Sequence, residues 1–219
     1  MLIKAKIKDI PAWERTEAVG IFTEAFTDDP LFKFAFPETE EREKLTKLMY
    51  EFVVMDMVPE LNLTIKGVYK ENKLAGCIIY TTPKSDQWSN KMMGAVSKMR
   101  EKADNPRINL IGEFAMLDKY EPGVKYCYGN ELAVKKDYRR KGIADKLIKT
   151  MINDCKSYPE VKGILIDTAN KENITLYEKW GWELKQTTDF YSIKKYFMWK
   201  ELKNNPGLLR ASLFPHPRE

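Results

Sequence analysis

The chain has 219 residues, 43% of them hydrophobic and 32% charged, with a formal net charge of +5. That length fits one elaborated domain better than two, and that hydrophobic share excludes a disordered chain. The 37 basic residues are interleaved with 32 acidic ones, a mild excess that suits an anionic ligand such as a nucleotide phosphate and argues against a nucleic-acid surface.

No run approaches the roughly 20 apolar residues of a membrane helix, so no membrane partner is expected. The opening MLIKAKIKDI is too short and too charged for a secretory signal. Cys77, Cys127 and Cys155 form an odd, widely spaced set. That pattern argues against a disulfide framework and a zinc site, and points to a reducing cytoplasm. The single histidine, His216, lies in a Pro-rich tail, which excludes histidine triads and multi-His metal sites. Acid–base chemistry must then come from Glu, Asp, Tyr, Lys or Cys.

Along the chain, Ile3, Ala5 and Ile7 alternate with lysines and predict a first strand with one apolar face. Asp9 and Pro11 supply helix-start chemistry. Ala18, Ile21, Phe22 and Ala25 share one helical face, and Asp28-Asp29-Pro30 breaks that helix. Leu45, Leu48, Met49, Phe52 and Val53 mark a second amphipathic helix ending near Pro59. Strands follow around Leu63–Tyr69 and Leu74–Tyr80, joined by the polar turn at 70–73. Residues 84–122 are expected to be an insertion. Trp88, Met92, Val96 and Met99 fall at helical spacing, Asn105-Pro106 interrupts, and a further helix runs from Leu110 to Tyr120.

A strand over Tyr126–Val134 precedes a helix over Gly142–Cys155, a buried strand over Gly163–Thr168 and a helix over Lys171–Lys179. Trp182–Thr187 and Ser192–Trp199 read as a closing antiparallel pair. The whole is expected to be one domain over 1–203 with a surface tail over 204–219. The fold class is α/β (α+β): a mixed sheet with helices on both faces.

The chemistry concentrates at Leu132-Ala133-Val134-Lys135-Lys136-Asp137-Tyr138-Arg139-Arg140-Lys141-Gly142-Ile143-Ala144. A strand ends, a basic turn follows and a helix begins. The first N–H groups of a helix lack an intrahelical partner and can donate to a phosphate, aided by the helix dipole. It is not a Walker loop, since no Gly-Lys-Ser/Thr follows, nor a dinucleotide fingerprint, since the second and third glycines are absent. A basic turn with a routine glycine is the plain alternative. A second segment, Asn170-Lys171-Glu172-Asn173-Ile174-Thr175-Leu176-Tyr177-Glu178-Lys179-Trp180-Gly181-Trp182, follows the next strand.

Together these segments resemble the GNAT acetyltransferases. That family has an Arg/Gln-x-x-Gly-x-Gly/Ala loop and then Asn-x-x-Ala-x-x-Leu-Tyr-x-x-x-Gly-Phe, matched here by Arg139, Gly142, Ala144, Asn170, Leu176, Tyr177 and Gly181. Asn173 replaces the usual Ala and Trp182 the usual Phe. Residues 126–188 carry the resemblance. Ala25-Phe26-Thr27-Asp28-Asp29-Pro30, followed by Phe36-Pro37, is also similar to the puromycin-type branch.

The resemblance implies the GNAT fold, mostly antiparallel, and acetyl-CoA as co-substrate. Backbone groups of Leu132, Ala133 and Val134 would bond the pantetheine and thioester, with an oxyanion donor near Val134. The N–H groups of Arg139, Arg140, Lys141, Gly142, Ile143 and Ala144 would cradle the pyrophosphate. Asn170 would reach the pantetheine through its amide; a helix cap is its structural alternative. Tyr177 matches the family's general acid, against the alternative of a tyrosine packed on the sheet.

An attacking alkyl amine, with a pKa of about 10.4, must lose a proton. Glu131 is the first candidate base, Glu113 and Tyr128 the reserves; the resemblance leaves the facing of Glu131 open, since family members often have a bulge here, and a solvated or salt-bridged strand end is its alternative. Cys155, with no histidine to activate it, is expected to be structural. The reading is direct acetylation of a small-molecule amine in a ternary complex. A protein α-amine or lysine acceptor and a non-catalytic CoA-binding module are the rivals, and a homodimer stays open.

Overall fold

A strand does form around Ile7, but without the buried face its alternation predicts. In the computed structural model, which describes residues 5–86, 90–117 and 120–203, β1 (Lys6–Asp9) is exposed at every position. It is the outer strand of the sheet, paired on one side only, and lies beyond the helices that cover its neighbours. Only Ile10, just past it, is buried. Ile3 lies outside the described residues.

A 3-10 turn (Ala12–Glu14) leads into α1 (Arg15–Phe26), which buries Ala18, Val19, Ile21 and Phe22. The break at Asp28-Asp29-Pro30 also starts a helix that periodicity did not reveal, α2 (Pro30–Ala35). The Asp29 carboxylate accepts the Leu31 N–H at 2.9 Å, and Pro30 occupies the first helical position, where its missing N–H costs nothing. α3 (Thr39–Glu51) widens into a π-helical segment (Phe52–Met57) and closes with α4 (Val58–Glu60), at the predicted Pro59.

β2 (Thr64–Lys70) and β3 (Lys73–Tyr80) form the predicted hairpin. Its two turn residues, Glu71 and Asn72, both have left-handed φ (53° and 62°), the turn whose twist matches paired strands. The insertion follows as α5 (Asn90–Ala103) and α6 (Asn109–Met116), separated by Asn105-Pro106 as expected. α6 stops short of the predicted Tyr120. Trp88 lies outside the described residues, as do the side chain of Met92 and the 204–219 tail with His216.

Then come β4 (Tyr126–Val134), α7 (Ile143–Lys156), β5 (Gly163–Thr168), α8 (Glu172–Lys179), β6 (Glu183–Phe190) and β7 (Ile193–Glu201). The seven strands are ordered β1-β2-β3-β4-β5-β7-β6. Every neighbouring pair is antiparallel except β4 and β5, which are parallel.

Two cores sandwich this sheet. On one side α1, α2, α3, α5 and α6 pack on Cys77, Ile79 and Ala133. On the other, Leu147, Ile148 and Met151 of α7 pack on Ile78, Tyr80, Cys127 and Ile164. Strand alternation sorts β3 between the two. The three cysteines are free and buried. A hydrogen bond with Cys127, and then burial, push the Cys155 thiol up, which suits a structural cysteine better than a nucleophile. Among the described residues, no helix is long and apolar enough to cross a membrane.

Candidate active site

The sheet opens where the parallel pair β4–β5 ends. β4 and β5 are in register from Tyr126↔Gly163 to Gly129↔Ile166 and no further. β4 then continues against β3 as far as Val134, while β5 continues against β7 to Thr168. Asn130–Val134 and Asp167–Thr168 therefore border a gap at the carboxyl ends of two parallel strands, where α/β sheets place their ligands. Backbone groups along this edge of β4 are available to an inserted extended chain.

A β-bulge decides what faces that gap. Ile79 pairs with Glu131 and Tyr80 with Gly129, leaving Asn130 without a partner. Before the bulge, Cys127 faces the α7 core, and a Cβ added at Gly129 would lie 3.3 Å from the Met151 sulfur. Unbroken alternation would send Glu131 to that same side. The extra residue reverses the parity, so Glu131 turns with Ala133 toward α1 and α3. There its Oε2 accepts a hydrogen bond from the Tyr50 hydroxyl at 3.0 Å.

Glu131 is half-buried and borders an apolar wall. Burial pushes its carboxyl up to about 8, Asp29 adds to the rise, and the Tyr50 hydrogen bond opposes it. Asp29 is itself pushed up to about 6, by burial and the nearby Asp167, against the pull of the Leu31 N–H. Asp167 is held by Lys195, whose Nζ lies 3.5 Å from Oδ2. Lys195 is only 1% exposed; its ammonium donates to the Phe114 carbonyl at 2.8 Å and sits between the Phe114 and Phe197 rings.

Tyr177, in the last turn of α8, packs beside Trp180 and Trp182. Burial holds its phenol well above the ordinary value, reinforced by Asp167, Glu131 and Asp29 in that order. The hydroxyl thus stays protonated and in electrostatic reach of all three carboxyls. Tyr177 packs against the core on the α7 side, and its phenol feels the Glu131 charge.

The turn before α7 has the shape an anion needs. Arg140 and Gly142 both take left-handed φ, 58° and 74°, and Gly142 is the N-cap of α7. The first helical N–H groups, from Ile143 and Ala144, point out of the helix end without intrahelical partners. Arg139 Nε folds back on the Val134 carbonyl (3.1 Å) and Lys141 Nζ on that of Asp137 (2.7 Å), so their charges stay close to the turn. A Cβ at Gly142 would meet nothing within 4 Å, so the space over the turn is open for a diphosphate. Gly142→Leu places a side chain in that space and strains a positive φ. It should weaken acetyl-CoA binding at least 10-fold by calorimetry, and an unchanged affinity would remove the turn as the phosphate site.

Asn170 adopts the capping role: its Oδ1 accepts the Glu172 N–H at 3.0 Å. Asn173, in place of the family's small residue, donates to Thr168 Oγ1 at 3.1 Å and ties α8 to the end of β5. Glu113 is exposed on α6, and Tyr128 stands on the paired stretch before the gap, so neither reserve joins Glu131. Sequence reasoning missed Tyr50, Asp29, Asp167 and Lys195 as site groups. Asp167 had a signal, as the single charge in the apolar run Gly163–Thr168. Tyr50 had none.

This seven-stranded sheet, with its one parallel seam opening beside a strand–turn–helix anion site, is the fold of the GNAT acetyltransferases. An acetyltransferase described as histone acetyltransferase HPA2 and related, from Corynebacterium glutamicum, superposes with a TM-score of 0.68 over 92% of this chain and 98% of its own, at 14% identity. The PaiA N-acetyltransferase of Thermoplasma acidophilum, solved in complex with coenzyme A, gives 0.57 over 90% and 99% at 14% identity. The ribosomal-protein-S18-alanine N-acetyltransferase of Escherichia coli gives 0.54 over 91% and 94% at 15% identity. Residues 103–184 match the family model described as an acetyltransferase (GNAT) domain. No curated protein matches the sequence. The chain has the GNAT acetyltransferase fold, and the match to the family model lies within residues 103–184.

Proposed function

We propose that this protein acetylates a primary amine of a small molecule by direct attack in a ternary complex. The observation that carries this reading is the bulge-turned Glu131 on the β4 edge of the gap, with the Tyr177 phenol near enough to feel its charge. Acetyl-CoA supplies the activated acetyl thioester. Leu132, Ala133 and Val134 line the strand edge that would hold its pantetheine arm, and a backbone N–H near Val134 supports the oxyanion. The N–H groups of Arg139–Ala144 hold the diphosphate. The Asn170 carbonyl oxygen is committed to its cap, so its Nδ2 is the atom offered to the arm.

Glu131 takes one proton from the acceptor ammonium, and the freed nitrogen lone pair then attacks the thioester carbon to form the N–C bond. A carboxyl pushed up to about 8 is a stronger base than an ordinary one and lies closer to the amine it must deprotonate. Tyr177 gives its proton to the sulfur as the C–S bond breaks, so the leaving group departs as a thiol, and the resulting phenolate takes up the second nitrogen proton, which leaves a neutral amide and restores the phenol. Carboxylates at Asp29 and Asp167 favour a cationic acceptor on approach.

The small-molecule preference rests on an aromatic wall beyond Asp29. Phe34 of α2 stacks on Tyr191 in the β6–β7 turn, with centroids 5.5 Å apart, and meets Phe190 edge-on at 6.0 Å. Phe190 in turn packs on Phe114 of α6 at 5.4 Å. Arg107 donates to the Phe34 and Ala35 carbonyls and pins α2 from outside. An extended protein segment would have to part this wall, whereas a small amine would not. Free-thiol release from acetyl-CoA, measured with primary amines and with short peptides bearing free α-amines or lysines, tests the reading. Turnover should favour the amines by at least tenfold. Preference for the peptides would replace the acceptor, and no turnover with any amine would favour a CoA-binding module. Reduced cysteines at all three positions fit our reading of a cytoplasmic enzyme.

A further inference from the structure

Tyr50 presents a hydroxyl where packing alone calls for phenylalanine. Its ring is 2% exposed and stacks on Phe22 at 5.2 Å and Phe32 at 6.0 Å, with Phe26 tilted against it at 5.1 Å. A phenol in such a cage loses its water and needs a partner. The partner found is Glu131, 81 residues away in sequence, at 3.0 Å. Only one carboxylate oxygen is used; Oε1 of Glu131 accepts no hydrogen bond from the described residues.

We propose that Tyr50 is a positioning residue for the acyl transfer: its hydroxyl fixes Oε2 of Glu131 so that Oε1 faces the β4–β5 gap as the proton-accepting atom. This rests on the reading of Glu131 as the base. The groups facing Glu131 are Tyr50 from α3, Asp29 ahead of α2, Cys77 of β3 and Tyr177 of α8. Asp29 and Cys77 disfavour a charged carboxylate when themselves ionised, and burial keeps the Cys77 thiol and the Tyr177 phenol protonated. Tyr50 is the group that donates to it. Burial, together with Glu131 and Asp29, holds the Tyr50 phenol well above its ordinary value, so it remains a donor throughout the working range. The rigid ring cage supplies the direction, and the hydrogen bond carries it across the sheet face to the strand.

The test is Tyr50→Phe in the full chain, which keeps the ring and removes the hydroxyl. The Glu131 carboxyl is followed by carbon NMR of glutamate-labelled protein, with the resonance assigned by its loss in Glu131→Gln. In Tyr50→Phe the titration should move about one unit upward, the size expected for loss of one hydrogen bond to a charged acceptor. Thiol release with benzylamine and putrescine as probe acceptors should fall about tenfold in kcat, with KM for acetyl-CoA within twofold. In the Glu131→Gln background the same change should have no further effect on the rate. An unmoved titration, an unchanged kcat, or an equal loss in the Glu131→Gln background would each overturn the positioning role. If Tyr50→Phe fails to fold, Glu131→Asp withdraws the carboxylate from Tyr50 by one methylene. It should then lose rate about tenfold and titrate higher than the parent; a full rate would overturn the proposal. Full activity of Glu131→Gln itself is a different failure, since it removes Glu131 as base whatever Tyr50 does.

Discussion

Tyr177→Phe should lower kcat by about 10² to 10⁴, the span typical of a lost general acid, while the Kd for acetyl-CoA stays within about twofold of the parent. In the proposed mechanism the hydroxyl carries the chemistry, while the ring carries the packing. The ring rests beside Trp180 and Trp182, with centroids 5.9 Å and 6.1 Å away, and phenylalanine keeps both contacts. Little stability is therefore at stake, and the melting temperature should move by only a few degrees. Without the hydroxyl, the sulfur must leave as a thiolate or take its proton from water. Single-turnover kinetics at saturating cofactor make the measurement, because they separate chemistry from thiol release. A parent-like rate would return Tyr177 to a packing role on α8.

Glu131→Gln should remove the pH dependence of kcat as well as most of kcat. With the carboxyl pushed up to about 8, the parent holds Glu131 mostly protonated at neutrality. Base catalysis then requires kcat at saturating amine to rise about tenfold per pH unit below 8 and to level off above it. The Tyr177 phenol, held above its ordinary 10.0, brings no descending limb in that range. The variant should lose about 10² or more in kcat on the plateau and show no rise through pH 8. A retained rise would mean that the amine deprotonates without this carboxylate.

The same group gives a stability signature with a definite sign. The folded carboxyl titrates near 8 and the unfolded one near the model value of 4.5, so between them the folded state binds a proton that the unfolded state lacks. Glu131's contribution is fully present below 4.5 and is lost as pH rises through about 8. Chemical denaturation of Glu131→Gln should be flatter than the parent across this window. What remains in the variant should include Asp29, whose loss runs from 3.8 to about 6.

Much of this site is visible in one dimension. The strand–turn–helix at Tyr126–Lys156, the buried strand at Gly163–Thr168 and the helix carrying Tyr177 follow from local rules: apolar runs, a glycine at a left-handed N-cap, a polar cap at Asn170. Such rules act over a few residues, so a single sequence records them. The two motifs flank the gap in chain order; the family resemblance named Tyr177, and its place at the end of β4 named Glu131. The cap at Asn170 was equally legible, as an alternative to its pantetheine role.

What the sequence could not hold is anything decided by a partner distant along the chain. Alternation makes Ile7 look half-buried, yet exposure followed from β1's place at the sheet edge. The resemblance left the facing of Glu131 open, but no residue near position 131 fixes the bulge, because it is a mismatch against β3 and depends on two strands at once. That single extra residue moved Glu131 from the α7 side to the α1–α3 side, and there Tyr50 and Asp29 become its neighbours. A carboxylate's basicity is set by the groups and solvent around it in space, so residue type fixed what Glu131 is, and tertiary packing alone decided how strong a base it becomes.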